Sequence, residues 1–183
     1  MARHLSAEEL VAGLELIRGS ARHSGTLEMI VRRPFEDARE ELEEGDLDLE
    51  LGLVGDNWKT RGSSRTDDGF GHPDMQLNVM NSRAIALIAG TRDRWKLAGD
   101  QLYIDLDLSD ENLPHGSRLS VGAAVIEITE IPHNGCRKFA DRFGVEAVKF
   151  VNSAEGKRLH LRGVNAKVIV PGKIRVSDVV SKI

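Results

Sequence analysis

The chemistry of this chain centres on its only cysteine, Cys136, in the stretch Ile131-Pro132-His133-Asn134-Gly135-Cys136-Arg137-Lys138-Phe139. Upstream, the apolar and β-branched run from Ala123 to Glu130 reads as a strand. Downstream, Phe139, Ala140 and Phe143 recur at helical spacing. Cys136 therefore falls at or near the start of a helix, where unpaired backbone amides favour a thiolate. His133, Arg137 and Lys138 add to that bias. A thiolate can serve as nucleophile, soft metal ligand or sulfur carrier. The competing reading is an inert thiol packed as a small hydrophobe, and the local residues leave both open. A cysteine hydrolase with His133, His115 or His160 as base is a weaker third reading, because no partner acid is evident.

Basic residues elsewhere could hold an anion. The glycine-rich polar segment from Gly55 to Gly69, continuing to Asp74, carries Arg61, Ser63, Ser64 and Arg65, whose guanidinium and hydroxyl donors suit a phosphate. It lacks the GxxxxGK[ST] pattern of a phosphate-binding loop, and a plain surface loop is the alternative. Arg83 follows a capping Asn81 in the first turn of a predicted helix, where the helix dipole disfavours a cation. An acid, an anionic ligand or solvent would have to hold it there. Asp105 and Asp107 alternate with Leu102, Ile104, Leu106 and Leu108, so they read with Tyr103 as the wet face of a strand rather than as an acid pair.

The elements that must position these groups are short. Ser6-Ala7-Glu8-Glu9 is a capping box opening an amphipathic helix that Gly19 ends, so residues 1–25 read as a helical extension on a single domain spanning 1–183. Strands are expected at Thr26–Arg32, Gln76–Met80, Gln101–Leu108, Leu159–Leu161, Val164–Val170 and Ile174–Val176. Phe35 to Glu44 is acidic and helix-prone. Asp46 to Leu51 alternates as a strand would, although the glycines framing it also allow a loop. Helices are expected after Asn81, after Cys136 and over Val145–Val151. Many short strands separated by glycine turns predict a mainly β (α+β) fold, a β-barrel with a few helices packed outside. With 40% hydrophobic and 30% charged residues and a net charge of −4, the composition is that of a soluble domain without a positive field for nucleic acid. No membrane span, secretory leader, CxxC or HExxH is present, which points to a cytoplasmic protein without an all-protein zinc site.

The order of motifs from Leu97 onward resembles the MOSC domain, the C-terminal domain of molybdenum-cofactor sulfurases, which also occurs alone. The matching stretches are Gly99-Asp100-Gln101-Leu102, Pro114 to Ala124, Cys136-Arg137-Lys138-Phe139, and Arg162 to Val168 with Pro171-Gly172-Lys173-Ile174. Gly52-Leu53-Val54-Gly55-Asp56 is similar to the family's early Gly-Asp turn. Asp100-Gln101 stands where the family usually has Glu-Asn, and Gly135 where proline is common. The resemblance implies a β-barrel whose cleft exposes the cysteine, binding of molybdenum cofactor, and sulfur transfer or molybdoenzyme-type catalysis. Cys136 would then be the catalytic group and the metal ligand, with Arg61, Arg65, Arg83, His133, Asn134, Arg137 and Lys138 as cofactor-binding candidates. A sulfur-donor protein and a small-molecule substrate are the implied partners. Pyridoxal phosphate enters by family association alone, through the desulfurase to which this domain is fused in sulfurases. The alternative function is a non-catalytic barrel that binds a small phosphate-bearing ligand and keeps its cysteine buried.

Overall fold

Strand-forming residues alternate in burial along much of the chain, and the computed structural model, which describes residues 3–183, resolves them into eleven strands. These are β1 (Ser24–Arg32), β2 (Glu40–Leu42), β3 (Glu44–Asp48), β4 (Gly52–Leu53), β5 (Leu77–Asn81), β6 (Leu102–Ile104), β7 (Arg118–Val121), β8 (Ala124–Ile128), β9 (Val164–Val170), β10 (Gly172–Arg175) and β11 (Val179–Lys182). The helices are α1 (Ala7–Ala12), α2 (Leu14–Arg18), α3 (Trp58–Arg61), α4 (Ser82–Ala89), α5 (Arg137–Phe143), α6 (Val145–Asn152) and α7 (Ala154–Arg158). Strands run in the order β11-β7-β8-β9-β5-β6-β1, and β1 pairs back onto β11 through Ser24–Ser181, Gly25–Val180 and Thr26–Val179. That last pairing closes a seven-stranded barrel and removes its open edges. All neighbours are antiparallel except β5 and β6. The strand β2 extends β1 outside the ring, and β10, β3 and β4 form a separate small sheet.

Two apolar clusters share the strands between them. Leu27, Ile30, Leu77, Val79, Leu102, Ile104, Ile126 and Val168 fill the barrel, joined by Leu47, Leu53 and Ile174 from the small sheet. Met29, Val31, Met80 and Tyr103 point from the other face of β1, β5 and β6 into a second cluster with Leu10, Leu14 and Ile17 of the N-terminal helices, Ile85 and Ile88 of α4, and Phe139 and Phe143 of α5. Where a strand is covered on both faces, as at Leu102-Tyr103-Ile104 of β6, apolar residues follow one another without alternation.

Five expectations change, the first of them for this reason. Tyr103 is fully buried, not outward, and its hydroxyl donates to the Trp95 carbonyl at 2.9 Å. The strand predicted over Gln101–Leu108 is regular only through Leu102–Ile104. Glu40–Leu42 is a strand despite its helix-prone residues. It pairs with the end of β1, where Arg32 donates to Glu40 at 2.9 and 2.6 Å, and context overrides propensity. Leu159–Leu161 is a turn after α7, with both leucines buried. Asp46–Leu51 splits, its first half completing β3 and its second half turning. Asn81 caps α4 as expected, accepting from the Ala84 amide at 3.0 Å. No helix among the described residues is long and apolar enough to cross a membrane.

Candidate functional site

Cys136 is the N-cap of α5, with an extended backbone and a carbonyl that accepts from the Phe139 and Ala140 amides. Seven residues make a helix too short to persist alone in water. Phe139 and Phe143, 2% and 1% exposed, hold it against α6 and the barrel wall, each burial contributing about 1.5–3 kcal/mol. The Cys136 side chain makes no hydrogen bond to the helix amides, and the residue is exposed.

The thiol opens on a cavity of about 220 Å³ lined also by Arg33, Arg39, Arg61, His133, Arg142 and Arg162. A larger chamber of about 520 Å³ adjoins it, sharing Arg33, Arg39, Arg61 and Lys138 and adding Phe35, Asn57 and Thr60. A small recess under the loop after α3, lined by Trp58 and Ser63, continues from Arg61, Met75 and Asn78.

The cations of this cleft fall into two kinds. Arg33 and Arg162 are buried and held by buried carboxylates. Arg33 grips Asp56 through Nε and Nη2 at 2.8 Å each and donates to the Gly99 carbonyl. Arg162 donates to both oxygens of Asp100 at 2.9 and 2.7 Å and lies over the Phe139 ring. At the rim, Lys138 and Arg142 face Glu36 and Asp37 at 3.4–4.0 Å. Arg39 and Arg61, in contrast, have no carboxylate within ion-pair distance among the described residues. Loss of hydration lowers the pKa of Arg39, and Arg142 and Arg33 lower it further. The same loss, followed by repulsion from Arg33, lowers that of Arg61, although the residue as a whole reaches solvent.

Burial also pushes the Asp100 carboxyl above its usual range, against the pull of Arg162. His133 lies beside this pair, its Nδ1 3.5 Å from Asp100. Desolvation first, then Arg162, Arg33 and Arg61, drive its pKa well below 6.5, so the imidazole is neutral at neutral pH. Five buried side-chain atoms among the described residues lack a hydrogen-bond partner: Arg39 Nε, Asn57 Oδ1, Trp58 Nε1, His133 Nδ1 and Arg162 Nε. Every one belongs to a residue lining this cleft or its recess. Unsatisfied buried polar groups are rare in folded proteins. Their concentration here, with uncompensated cations, suits an anionic ligand with hydrogen-bonding edges.

Of the residues singled out from sequence, the fold brings together Cys136, His133, Arg61 and Lys138. Asn134 lies instead in a neighbouring chamber of about 380 Å³ with Asp110, Lys157 and His160, which meets the cleft at His133. Arg65 is exposed on the loop and Arg137 on the first turn of α5, and neither lines the cleft. Arg83 is elsewhere. Its guanidinium holds Asp105 at 2.7 and 3.0 Å and donates to the Leu16 and Gly19 carbonyls at the end of α2, so an acid satisfies it. Sequence reasoning missed Arg33, Arg39, Arg142 and Arg162 as site residues. A signal was present for Arg162: it sits between Leu161 and Gly163-Val164 in an apolar stretch, and a buried cation requires a partner. Among the described residues no three His, Cys, Asp or Glu side chains converge on a point that could hold a metal ion.

The sequence model of the MOSC domain matches residues 66–181. Among solved structures, the chain is similar to the YUAD protein from Bacillus subtilis, with a TM-score of 0.63 and 16% identity over 86% of this chain and 94% of that one. It is also similar to YiiM from Escherichia coli, with a TM-score of 0.56 and 20% identity over 86% of this chain and 69% of that one. YiiM from Geobacillus stearothermophilus gives a TM-score of 0.54 and 11% identity over 90% and 74%. At these identities the likeness concerns the fold. No curated protein matches the chain.

Proposed function

Because the chain belongs to the MOSC domain family, we propose that its cleft binds the molybdenum cofactor and that Cys136 is the soft sulfur group acting there. The observation carrying this reading is that the exposed thiol shares one cavity with Arg39 and Arg61, two cations without a carboxylate partner. Arg39 and Arg61 would hold the cofactor's phosphate through charge-assisted hydrogen bonds. Phe35, 66% exposed at the mouth of the outer chamber, offers a face for a flat heterocycle. Metal held here would rely on the cofactor's own sulfurs, with Cys136 as the protein ligand. When bound, that group supplies oxo-transfer chemistry of two-electron type at its metal.

The same thiol fits sulfur carriage. The Cys136 thiolate attacks the outer sulfur of a donor protein's persulfide, forms a new S–S bond, and releases the donor cysteine as a thiolate. The exchange moves negative charge from one sulfur to the other within a cavity lined by guanidinium groups. A neutral His133 in the wall of the cavity leaves the positive charge there to the arginines. Pyridoxal phosphate gains no support, since Lys138, the lysine lining the cleft, faces Glu36 and Asp37. A non-catalytic anion-binding barrel would use the same arginines, but the buried, structural cysteine expected with it is not found, since Cys136 is exposed.

The test is elemental analysis for molybdenum, cofactor fluorescence after oxidative release, and persulfide labelling of freshly purified protein, for wild type and Cys136→Ser. The variant is expected to keep its fold and to lose persulfide labelling, bound molybdenum or both. If a wild type that carries either one retains it unchanged after the substitution, the thiol has no part in the function.

A further inference from the structure

Eight residues separate the end of β8 from the start of α5, none in a regular element, and Cys136 is the last of them. A free-running segment of this length would not hold a thiol in one place. It is tied at Thr129, whose amide donates to the Asn165 carbonyl, and at Ile131, whose carbonyl accepts from Asn165 Nδ2 at 2.9 Å. The next tie is at Gly135. Asn152, the last residue of α6, accepts from the Gly135 amide through Oδ1 and donates to the Gly135 carbonyl through Nδ2, both at 2.9 Å. One side-chain amide thus pairs with both polar groups of a single residue, as a neighbouring strand would. The approach is close: a Cβ on Gly135 would stand 2.8 Å from Val151 Cγ2 and 3.4 Å from the Asn152 amide atoms. Any side chain here would have to displace the Val151 methyl.

We propose that Asn152 is the positioning residue for Cys136, clamping the preceding peptide so that the thiol faces the arginine cleft. Cys136 makes no hydrogen bond through its own side chain to the helix amides, so the direction of its Cα–Cβ bond depends on the backbone on either side. On the helical side, Phe139 is held in the core beneath Arg162. On the other side, Asn152 supplies the restraint. This inference rests on the reading of Cys136 as the reactive group of the cleft.

The chain has one cysteine, so alkylation rates report on it alone. The informative quantity is the ratio of the rate with anionic iodoacetate to the rate with neutral iodoacetamide, normalised to free cysteine. It senses the positive field at the sulfur, which loss of global stability does not alter in the folded population. Wild type is expected to exceed free cysteine by about tenfold, as an electrostatically focused cleft would give. Asn152→Leu, close in volume but without hydrogen-bonding groups, should lower the ratio at least about threefold toward free cysteine, with inorganic phosphate affinity unchanged because the arginines are intact. A raised wild-type ratio that folded Asn152→Leu retains overturns the clamp alone. A wild-type ratio equal to that of free cysteine sinks the cleft reading and the clamp together. Should the leucine variant not fold, Asn152→Ala is judged by the same ratio. Hydrogen exchange on wild type gives a check without substitution: the Gly135 amide should exchange slowly, and exchange at the unstructured rate overturns the proposal.

Discussion

On the sheet of β10, β3 and β4, Lys173 lies 3.0 Å from Glu44 and 3.4 Å from Asp46, and Arg175 lies 3.1 Å from Glu44. Each cation there has an acid, and the cations reinforce the ionisation of Glu44. In the Cys136 cleft the same side-chain types are arranged differently. Arg33 and Arg162 are matched by Asp56 and Asp100, while Arg39 and Arg61 have their pKa lowered by lost hydration first and by neighbouring arginines second. Surface charge that closes on itself serves solubility and contributes little to stability. Charge gathered with its own sign, next to unpaired buried donors, is an arrangement that a ligand completes.

The largest effect expected from this contrast concerns the matched pair at the cleft floor. Asp100→Ala leaves Arg162 buried without its carboxylate and should cost about 3–5 kcal/mol in urea unfolding. A loss below about 1 kcal/mol would mean that Arg162 is not fixed by Asp100, and the division between structural and ligand-facing arginines would fail. The intermediate effect concerns the unmatched pair. Arg39→Ala and Arg61→Ala should each weaken inorganic phosphate binding about tenfold, the order expected for one charge-assisted hydrogen bond, while the unfolding midpoint holds or rises. Lys173→Ala should leave both phosphate binding and the midpoint unchanged. Equal losses of binding from Lys173→Ala and Arg61→Ala would erase the distinction between the two regions.

The smallest effect is a pH slope. His133 is held neutral in the folded chain, with a pKa below its unfolded value near 6.5. Below that pH the unfolded chain binds the extra proton and the folded chain does not, so stability falls as pH drops through about 6.5 toward the folded value. Asp100 runs the opposite way at lower pH. Its folded pKa is raised above 3.8, so its burial is less unfavourable once it is protonated. His133→Gln should flatten the slope just below pH 6.5, measured as unfolding midpoints across pH 5–8. A slope identical to wild type would place His133 in a more solvated setting than the arginine cleft.

Much of the frame was readable before any coordinates. Phe139 and Phe143 announced a helix after Cys136, Asn81 announced a cap, and glycine-punctuated apolar runs announced a barrel. What escaped depends on neighbours distant in sequence. Tyr103 alternates with leucines as a wet-face residue would, yet α4 and α5 cover that face. The strand β11 over Val179–Lys182 closes the ring by pairing with β1 from the far end of the chain. No local pattern marks it as the closing strand. Arg61 and Lys138 were legible as basic residues near the right segments, and Arg83 looked as promising until Asp105 was found beside it.

The sequence by itself determined which short segments could be strands or helices, because periodicity and capping act within a few residues. It also determined that a single thiol would stand at a helix start among basic side chains. Only the tertiary structure decided which arginines surround that thiol. Arg33, Arg39 and Arg162 lie in irregular segments after β1, before β2 and before β9, and Arg142 lies on α5; whether each meets an acid or another cation depends on where the closed barrel sets their Cα atoms. Coulomb energy at a few ångströms in a partly desolvated cleft is large, but sequence separation carries no information about that distance.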